Sequence, residues 1–516
     1  MKKYLLSLLL TAAVLLLLSG CGNIDDTVQD DVLDELSQYY QSDKDTEKDT
    51  PLTSFVLPYL QGQTLDPITC MDGAQQTLGC LLYDGLFALD TNFTPQNMLA
   101  KSYTYDAATF TYTIQLRSGV TFSDGSSLDA EDVVSSLQRA CSSERYRTRM
   151  ADVSAIYAES DSTVCIRLKS ANGSFAARLD IPIVKSGTET ELVPLGTGPY
   201  VYKTGKGGVV YLSANANWWQ KKELPLKKIE LLTVKDDDTM AYAFYAREIH
   251  LLTRDLTATM ASGASGGGSY TDADTSVMQY IGINTTRDAL NKPAVRQALS
   301  LGIDRVGCVN SFLMGHGRAA QFPLSPASPL YPAGDETLYS PDNFSQAMKK
   351  SKLDSGSTQE LTMLVNEEST FKLSMAKKIA ADLSTYDLKI TVEALPWDEY
   401  VSALNRGNFD LYYGECKLTA DWDLSAFLLP GGALNYGGFH DPATTALLNA
   451  YAAASTDKAR QSAMQALCRK IQQQSPIIPV CFKSTSVMVT AGAVDAITPT
   501  AADPFYDLTS WKVNLK

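Results

Sequence analysis

One pattern in the chain belongs to a nucleophile. Gly263-Ala264-Ser265-Gly266-Gly267 satisfies G-x-S-x-G, in which a strand-to-helix turn lifts a serine hydroxyl toward an acyl carbon. Such an elbow needs a strand before it and a helix after it. Here it lies in the Gly/Ser stretch 262–269, followed by Tyr270-Thr271-Asp272, which reads as a loop. Bases and metal ligands are sparse: His250, His316 and His440 stand far apart, none paired at helical spacing with another ligand. No G-x-x-x-x-G-K-[ST] loop is present to cradle a phosphate. The chain does not read as an enzyme, and neither cofactor nor metal is expected.

Cysteines offer little more. Beside Cys21 there are Cys70, Cys80, Cys141, Cys165, Cys308, Cys416, Cys468 and Cys481. An even number in an exported chain permits disulfides, and Cys70–Cys80 and Cys468–Cys481 are near enough in sequence to pair. No tight CxxC occurs, so most are expected to be buried thiols acting as small hydrophobes.

The elements that must position any site alternate in kind. Phe110, Tyr112, Ile114 and Leu116 alternate with Thr111, Thr113, Gln115 and Arg117, the period of a half-buried strand. Asp124-Gly125 predicts a turn, and Asp129 a helix cap ahead of Glu131 and Asp132, with Val133, Leu137 and Ala140 as the apolar stripe. Val164, Ile166 and Leu168 form another strand pattern. Val295 and Leu299 follow Pro293 as a helix face, and Met464, Leu467 and Ile471 line a late helix running into a strand at Pro476–Val480. Interleaved strands and helices make the class mixed α/β.

At 516 residues the chain exceeds one core, and 45% apolar residues suffice for several. A net charge of −14, without a basic block past the extreme N-terminus, argues against nucleic acid. Lys2 and Lys3 precede the apolar run Leu5–Leu18, which Leu18-Ser19-Gly20-Cys21 ends with small residues. This looks like a bacterial lipoprotein signal over residues 1–20, with Cys21 receiving the lipid. Residues 21–50 are then an acidic tether, with ten acids against two lysines between 22 and 50.

From Tyr112 to Ala140, YTIQLRSGVTFSDGSSLDAEDVVSSLQRA resembles the family 5 bacterial extracellular solute-binding proteins, the receptors for oligopeptides, dipeptides and nickel in ABC importers. Leu65-Asp66-Pro67 and Leu82-Tyr83-Asp84-Gly85-Leu86 precede it in the family's order. Gly196-Thr197-Gly198-Pro199-Tyr200, Asn284-Thr285, Val295–Leu299 and Pro476–Val480 follow, so the resemblance spans residues 51–516. It implies two hinged lobes of periplasmic-binding-protein type. Residues 51–76, 187–284 and 486–516 would form the core of lobe 1, 77–186 its extra domain, and 285–485 lobe 2. It further implies a monomeric receptor, lipid-anchored on the extracytoplasmic face, that captures a short peptide and delivers it to an ABC permease and ATPase. In an organism with an outer membrane that face is the periplasm. A non-peptide polar solute, or a surface adhesion or sensing role, stays open.

The resemblance also implies site residues. Asp421, in Ala420-Asp421-Trp422, matches the carboxylate that neutralises a peptide's α-ammonium, and Trp397 matches a pocket-wall tryptophan. Glu415 and Lys417 replace the usual Gly-Trp, and Tyr413 falls where some members carry a carboxylate-binding arginine. Glu415 and Lys417 are either a solvated pair or part of the pocket. Trp218-Trp219 match a run taken as structural, and Asp423 is a candidate cap for a helix at 425–429.

Overall fold

The structure is a computed structural model that describes residues 52–255, 268–337, 339–351, 353, 358–385, 387–495 and 497–516. Cys21, the acidic tether and Ser265 lie outside the described residues.

The alternation around Tyr112 forms the strand Thr111–Leu116, with Tyr112, Ile114 and Leu116 buried. It sits in a four-stranded antiparallel sheet between Ala100–Asp106 and Thr163–Leu168, with Val153–Ser160 at the edge. Phe110, expected in the strand, instead closes the hairpin at φ +55°. Asp129 caps the helix α1 (Ala130–Ser142): its carboxylate accepts from the Glu131 and Asp132 amides, while Asp132 accepts from the Asp129 amide. Val133, Leu137 and Ala140 are fully buried on the opposite face.

A second four-stranded sheet orders Val56–Tyr59, Lys228–Thr233, Val210–Ala214 and Tyr200–Thr204. Two of the sequence motifs meet beside it. A Cβ on Gly196 or Gly198 would come within 2.2 or 2.5 Å of the Leu82 backbone, so only glycine allows the approach. Buried Asp84 then accepts from Thr197 Oγ1 (2.9 Å) and Trp219 Nε1 (2.8 Å), which gives Trp219 a structural role. Both sheets and the C-terminal Phe505 and Trp511 share one core.

Five strands of the remaining seven-stranded sheet bear on the site: β1 (Gly268–Ile283), β2 (Gln359–Asn366), β3 (Leu388–Leu395), β4 (Leu411–Lys417) and β5 (Ile477–Thr490). The order is Leu251–Arg254, β5, β1, β4, β2, β3, with Gly317–Ala319 also on β5. β2, β3 and β4 run parallel to one another, while β1 and β5 run antiparallel to each other. One face packs on Leu299, Ile379 and Tyr413, the other on Tyr412, Trp422 and Phe482.

β1 and β5 are much longer than their neighbours, and β5 far exceeds the expected strand at Pro476–Val480. Val277 pairs with Lys417, the last residue of β4, so residues 268–276 of β1 continue beyond the ends of β2, β3 and β4. The β1–β5 register shifts between Asp274 and Met278. Val487 and Val489 of β5 belong to the first core, whereas Ile478, Val480 and Cys481 belong to the second. These two strands carry the chain between two lobes. β1 ends at Ile283, and its C-terminal half hydrogen-bonds β4. All eight described cysteines are free thiols, and five of them are buried.

Candidate ligand cleft

Parallel strands leave their carboxyl ends open for ligands, because the loops there diverge and the following helices begin there. In this sheet that edge faces the first lobe, since β1 and β5 leave the sheet on the same side. β2 ends at Asn366 and leads into α2 (Thr370–Leu383). β3 ends at Leu395 and leads into α3 (Trp397–Asn405), and β4 ends at Lys417 and leads into the loop 418–424. Every site residue named from the sequence lies on β4, on that loop or at the start of α3.

Asp421 is the most buried of them, its side chain fully shielded. Its Oδ2 accepts from Arg178 Nε at 2.6 Å and from Asn172 Nδ2 at 2.7 Å. Both donors come from the first lobe, from the loop and 3₁₀ turn that end at Arg178. Among the described residues Oδ1 of Asp421 has no hydrogen-bond partner, although it is buried. Arg178 also donates to Asp152 Oδ2 (2.9 Å) and Asp423 Oδ2 (3.1 Å). Burial works against the guanidinium's charge, but the three carboxylates outweigh it and raise its pKa. One guanidinium thus serves three carboxylates, with Arg149 as a further cation whose charge reaches Asp421. Asp423 Oδ1 accepts from the amide and hydroxyl of Ser425, but the N-cap of the short helix Ser425–Leu428 is Leu424, so the capping role read for Asp423 from the sequence is not met.

The same contact is reinforced on both sides. Trp422, at φ +53° and 2% exposed, packs edge-on against Phe93 of the first lobe (5.2 Å) and Phe482 of β5 (6.3 Å). The Gly173 amide donates to the Ala452 carbonyl at 2.8 Å, and a Cβ at Gly173 would strike the Ala454 carbonyl at 2.1 Å. Trp422 is therefore a wall between the lobes.

Glu415 and Lys417 point from the same face of β4 yet do not pair. Glu415 accepts from Gln279 Nε2 (2.7 Å) and forms ion pairs with Lys372 and Lys483 at 3.2 Å each. Burial raises its pKa, but the two ammonium groups prevail and hold it below the ordinary value. Lys483 also reaches Asp255 at 2.5 Å. Tyr413 is fully buried beneath this group, its hydroxyl donating to Gln279 Oε1 at 3.0 Å, so it orients Gln279 from behind. Lys417 is solvent-accessible, and among the described residues no carboxylate lies within salt-bridge distance of it. Desolvation lowers its pKa first, followed by the charges of Arg149 and Arg145 of the first lobe.

Trp397 opens α3 and is 55% exposed, so core packing, the alternative to a pocket wall, does not apply. Its amide donates to Glu368 Oε1 at 2.7 Å, and its ring lies 5.9 Å from that of Tyr400. Sequence reasoning missed Arg178, Asn172, Asp152, Arg149 and Arg145, which come from the other lobe, and Lys372 and Lys483. No local pattern marks these residues. Among the described residues no group of three or more His, Cys, Asp or Glu is placed to hold a metal.

Comparison with known proteins places this geometry. Residues 94–432 match the model described as bacterial extracellular solute-binding proteins, family 5 middle. The glutathione-binding protein GsiB of Salmonella typhi is 28% identical over 324 residues, covering 60% of this chain and 63% of that protein. GsiB of Escherichia coli O157:H7 is 30% identical over 278 residues, covering 51% and 54%. The chain thus spans less than two thirds of the length of these relatives. Among solved structures, the ABC transporter substrate-binding protein CtaP of Listeria monocytogenes superposes with a TM-score of 0.71 at 20% identity, over 90% of this chain and 100% of that one. The oligopeptide-binding protein AppA of Bacillus subtilis, solved with a nonapeptide, gives 0.60 at 19% identity over 90% and 100%. At such identities the likeness speaks for the fold, two lobes around a cleft.

Proposed function

Because the chain belongs to the bacterial extracellular solute-binding proteins of family 5, we propose that it is the substrate-binding subunit of an ABC importer. It captures a short peptide between its lobes and presents it to the permease and ATPase. Lipid on Cys21 would hold it at the extracytoplasmic face, and loss of detergent-phase partitioning in Cys21→Ala tests that anchor. Glutathione, named for the GsiB relatives, is the first peptide to try.

The observation that carries the peptide reading is the state of Asp421. A buried carboxylate oxygen without a donor is costly, and Oδ1 is such an oxygen. Arg178 is shared there among three carboxylates, Asp152, Asp421 and Asp423. A ligand ammonium would supply both the missing donor and a counter-charge, while Arg178 and Asn172 retain Oδ2. Trp397 would border the ligand. Glu415, occupied by Lys372 and Lys483, would shape the floor, with Tyr413 and Trp422 as buried supports.

Closure is the testable consequence. A bound peptide favours the state in which both lobes touch it, by as much as those extra contacts supply. Peptide at a hundred times its dissociation constant should stabilise the fold by about 2.7 kcal/mol. Small-angle scattering should then show a contracted particle. A raised melting temperature with an unchanged radius of gyration at saturation would contradict hinge closure and favour a rigid binding surface.

A further inference from the structure

Beside the Asp421 corner the first lobe inserts one glycine into the second. Its loop is prepared within its own lobe. The Tyr112 hydroxyl donates to Asn172 O (2.8 Å) and accepts from the Phe175 amide (3.1 Å), and the Tyr105 hydroxyl accepts from the Asn172 amide (3.1 Å). Gly173 then meets α4 (Pro442–Ala453), whose last carbonyls have no donor within the helix. The Gly173 amide donates to Ala452 O at 2.8 Å, and Arg460 Nη1 of α5 (Asp457–Gln474) donates to Gly173 O at 3.2 Å. Both backbone groups of one residue are held by the other lobe. Gly173 does not take a positive φ, so its backbone suits any L residue. The three atoms nearest to an added Cβ all belong to the second lobe: Ala454 O at 2.1 Å, Ala454 C at 3.0 Å and Ala452 O at 3.7 Å. Glycine is needed here for the approach of the lobes, not for the fold of its own.

We propose that the Asn172–Gly173 turn is a closure latch, a main-chain plug whose seating between Ala452, Ala454 and Arg460 sets how readily the lobes close on a ligand. Opening the cleft returns the Gly173 amide and the Ala452 carbonyl to water, so the hydrogen bond alone biases closure only modestly. The leverage is steric, because the seat admits a backbone and no side chain. The same turn carries Asn172 Nδ2 to Asp421 Oδ2 at 2.7 Å, and the hydroxyl of Tyr451 in α4 donates to Asp421 O at 2.7 Å. Seating the plug therefore also fixes the carboxylate, which makes Asn172 and Gly173 positioning residues. The latch rests on the reading of two lobes that close on a solute, and it holds whether or not that solute is a peptide.

Small-angle scattering and calorimetry of the full-length protein test it, with trialanine and glutathione as probes and Gly173→Ala and Arg460→Gln as variants. Gly173→Ala should keep the wild-type circular dichroism. At saturating peptide it should show a larger radius of gyration than wild type and bind about tenfold to a hundredfold more weakly, the factor to which an overpacked contact converts. Arg460→Gln adds no clash and should move both readings the same way by a smaller factor; it decides the matter if Gly173→Ala does not fold. Wild-type dimensions and affinity in Gly173→Ala overturn the latch while hinge closure stands. Weaker binding with unchanged dimensions marks a local packing role and also overturns it. If neither probe binds wild type, the peptide reading fails and the unliganded proteins decide: a Gly173→Ala particle wider than wild type upholds the latch, and equal radii overturn it.

Discussion

The two ends of the loop after β4 treat charge in opposite ways. At Asp421 the protein brings its own cation: Arg178 crosses from the other lobe and binds three carboxylates, of which Asp421 is fully shielded. At Lys417, four residues earlier, no carboxylate among the described residues lies within salt-bridge distance, and the charges of Arg149 and Arg145 act on it. The first corner is a cross-lobe brace with one donor still wanted, and the second is a pole whose charge is unmet. A closed cleft strips water from both, so the first stabilises lobe contact by itself while the second depends on what enters.

Removing the brace should have the largest effect. Arg178→Ala leaves Asp421 buried without its counter-charge, which typically costs about 3–5 kcal/mol. Urea unfolding should report that loss, and scattering should show the lobes apart. Replacing both partners, Arg178→Met with Asp421→Leu, should recover much of the stability, since apolar groups leave no stranded charge. If Arg178→Ala unfolds like wild type, the corner is not a brace and the contrast collapses.

A smaller effect belongs to Trp397. Its exposure predicts that Trp397→Ala leaves stability within about 0.5 kcal/mol of wild type, as surface changes do. Peptide affinity should nevertheless fall about fivefold to tenfold, the scale of an aromatic contact worth roughly 1 kcal/mol. Unchanged affinity would remove Trp397 from the cleft wall.

A pH-dependent test on Asp503 of the first lobe serves as a control. Burial first, and then nearby Asp84, raise the pKa of Asp503 to about 7 against hydrogen bonds that lower it. Folded Asp503 therefore holds its proton where the unfolded carboxyl has lost it. Its contribution to stability is full below the ordinary value of 3.8 and disappears as pH rises through about 7. Asp503→Asn should flatten this part of the melting profile between pH 4 and 8 without altering peptide affinity. A wild-type profile that rises over that range at this site would contradict the assignment.

Much of the fold was legible because short-range patterns fix it. The Thr111–Leu116 alternation, the Asp129 cap and the stripe of Val133, Leu137 and Ala140 each follow from neighbours within one element. Phe110 was misjudged because a hairpin closure, which burial period does not report, overrode the alternation. β5 was underestimated for a related reason: residues 481–490 change core partway along, so no single inward face repeats. The site was legible only as one half. Asp421, Glu415, Lys417 and Trp397 lie near one strand edge, but Arg178, which holds Asp421, comes from the other lobe, and the cations on Glu415 come from α2 and β5. Arg178, in Phe175-Ala176-Ala177-Arg178, sits in no pattern that distinguishes a brace from a surface arginine. Of the two readings of Glu415 and Lys417, the solvated pair is not found, and the structure gives Glu415 to Lys372 and Lys483 instead.

The peptide reading turns on whether Asp421 receives a ligand amine. Calorimetry with a free and an Nα-acetylated short peptide, on wild type and Asp421→Ala, measures this directly. Because Asp421→Ala also deprives Arg178 of a partner, the single variant alone does not decide the matter; the cycle does. Asp421→Ala should weaken the free peptide by about 2–5 kcal/mol, roughly thirtyfold to several-thousandfold. Acetylation should cost wild type a comparable factor and cost the variant little, and Asp423→Ala should keep the wild-type preference for the free amine. Equal affinity of wild type for free and acetylated peptide would contradict the account and point to a solute without a terminal amine.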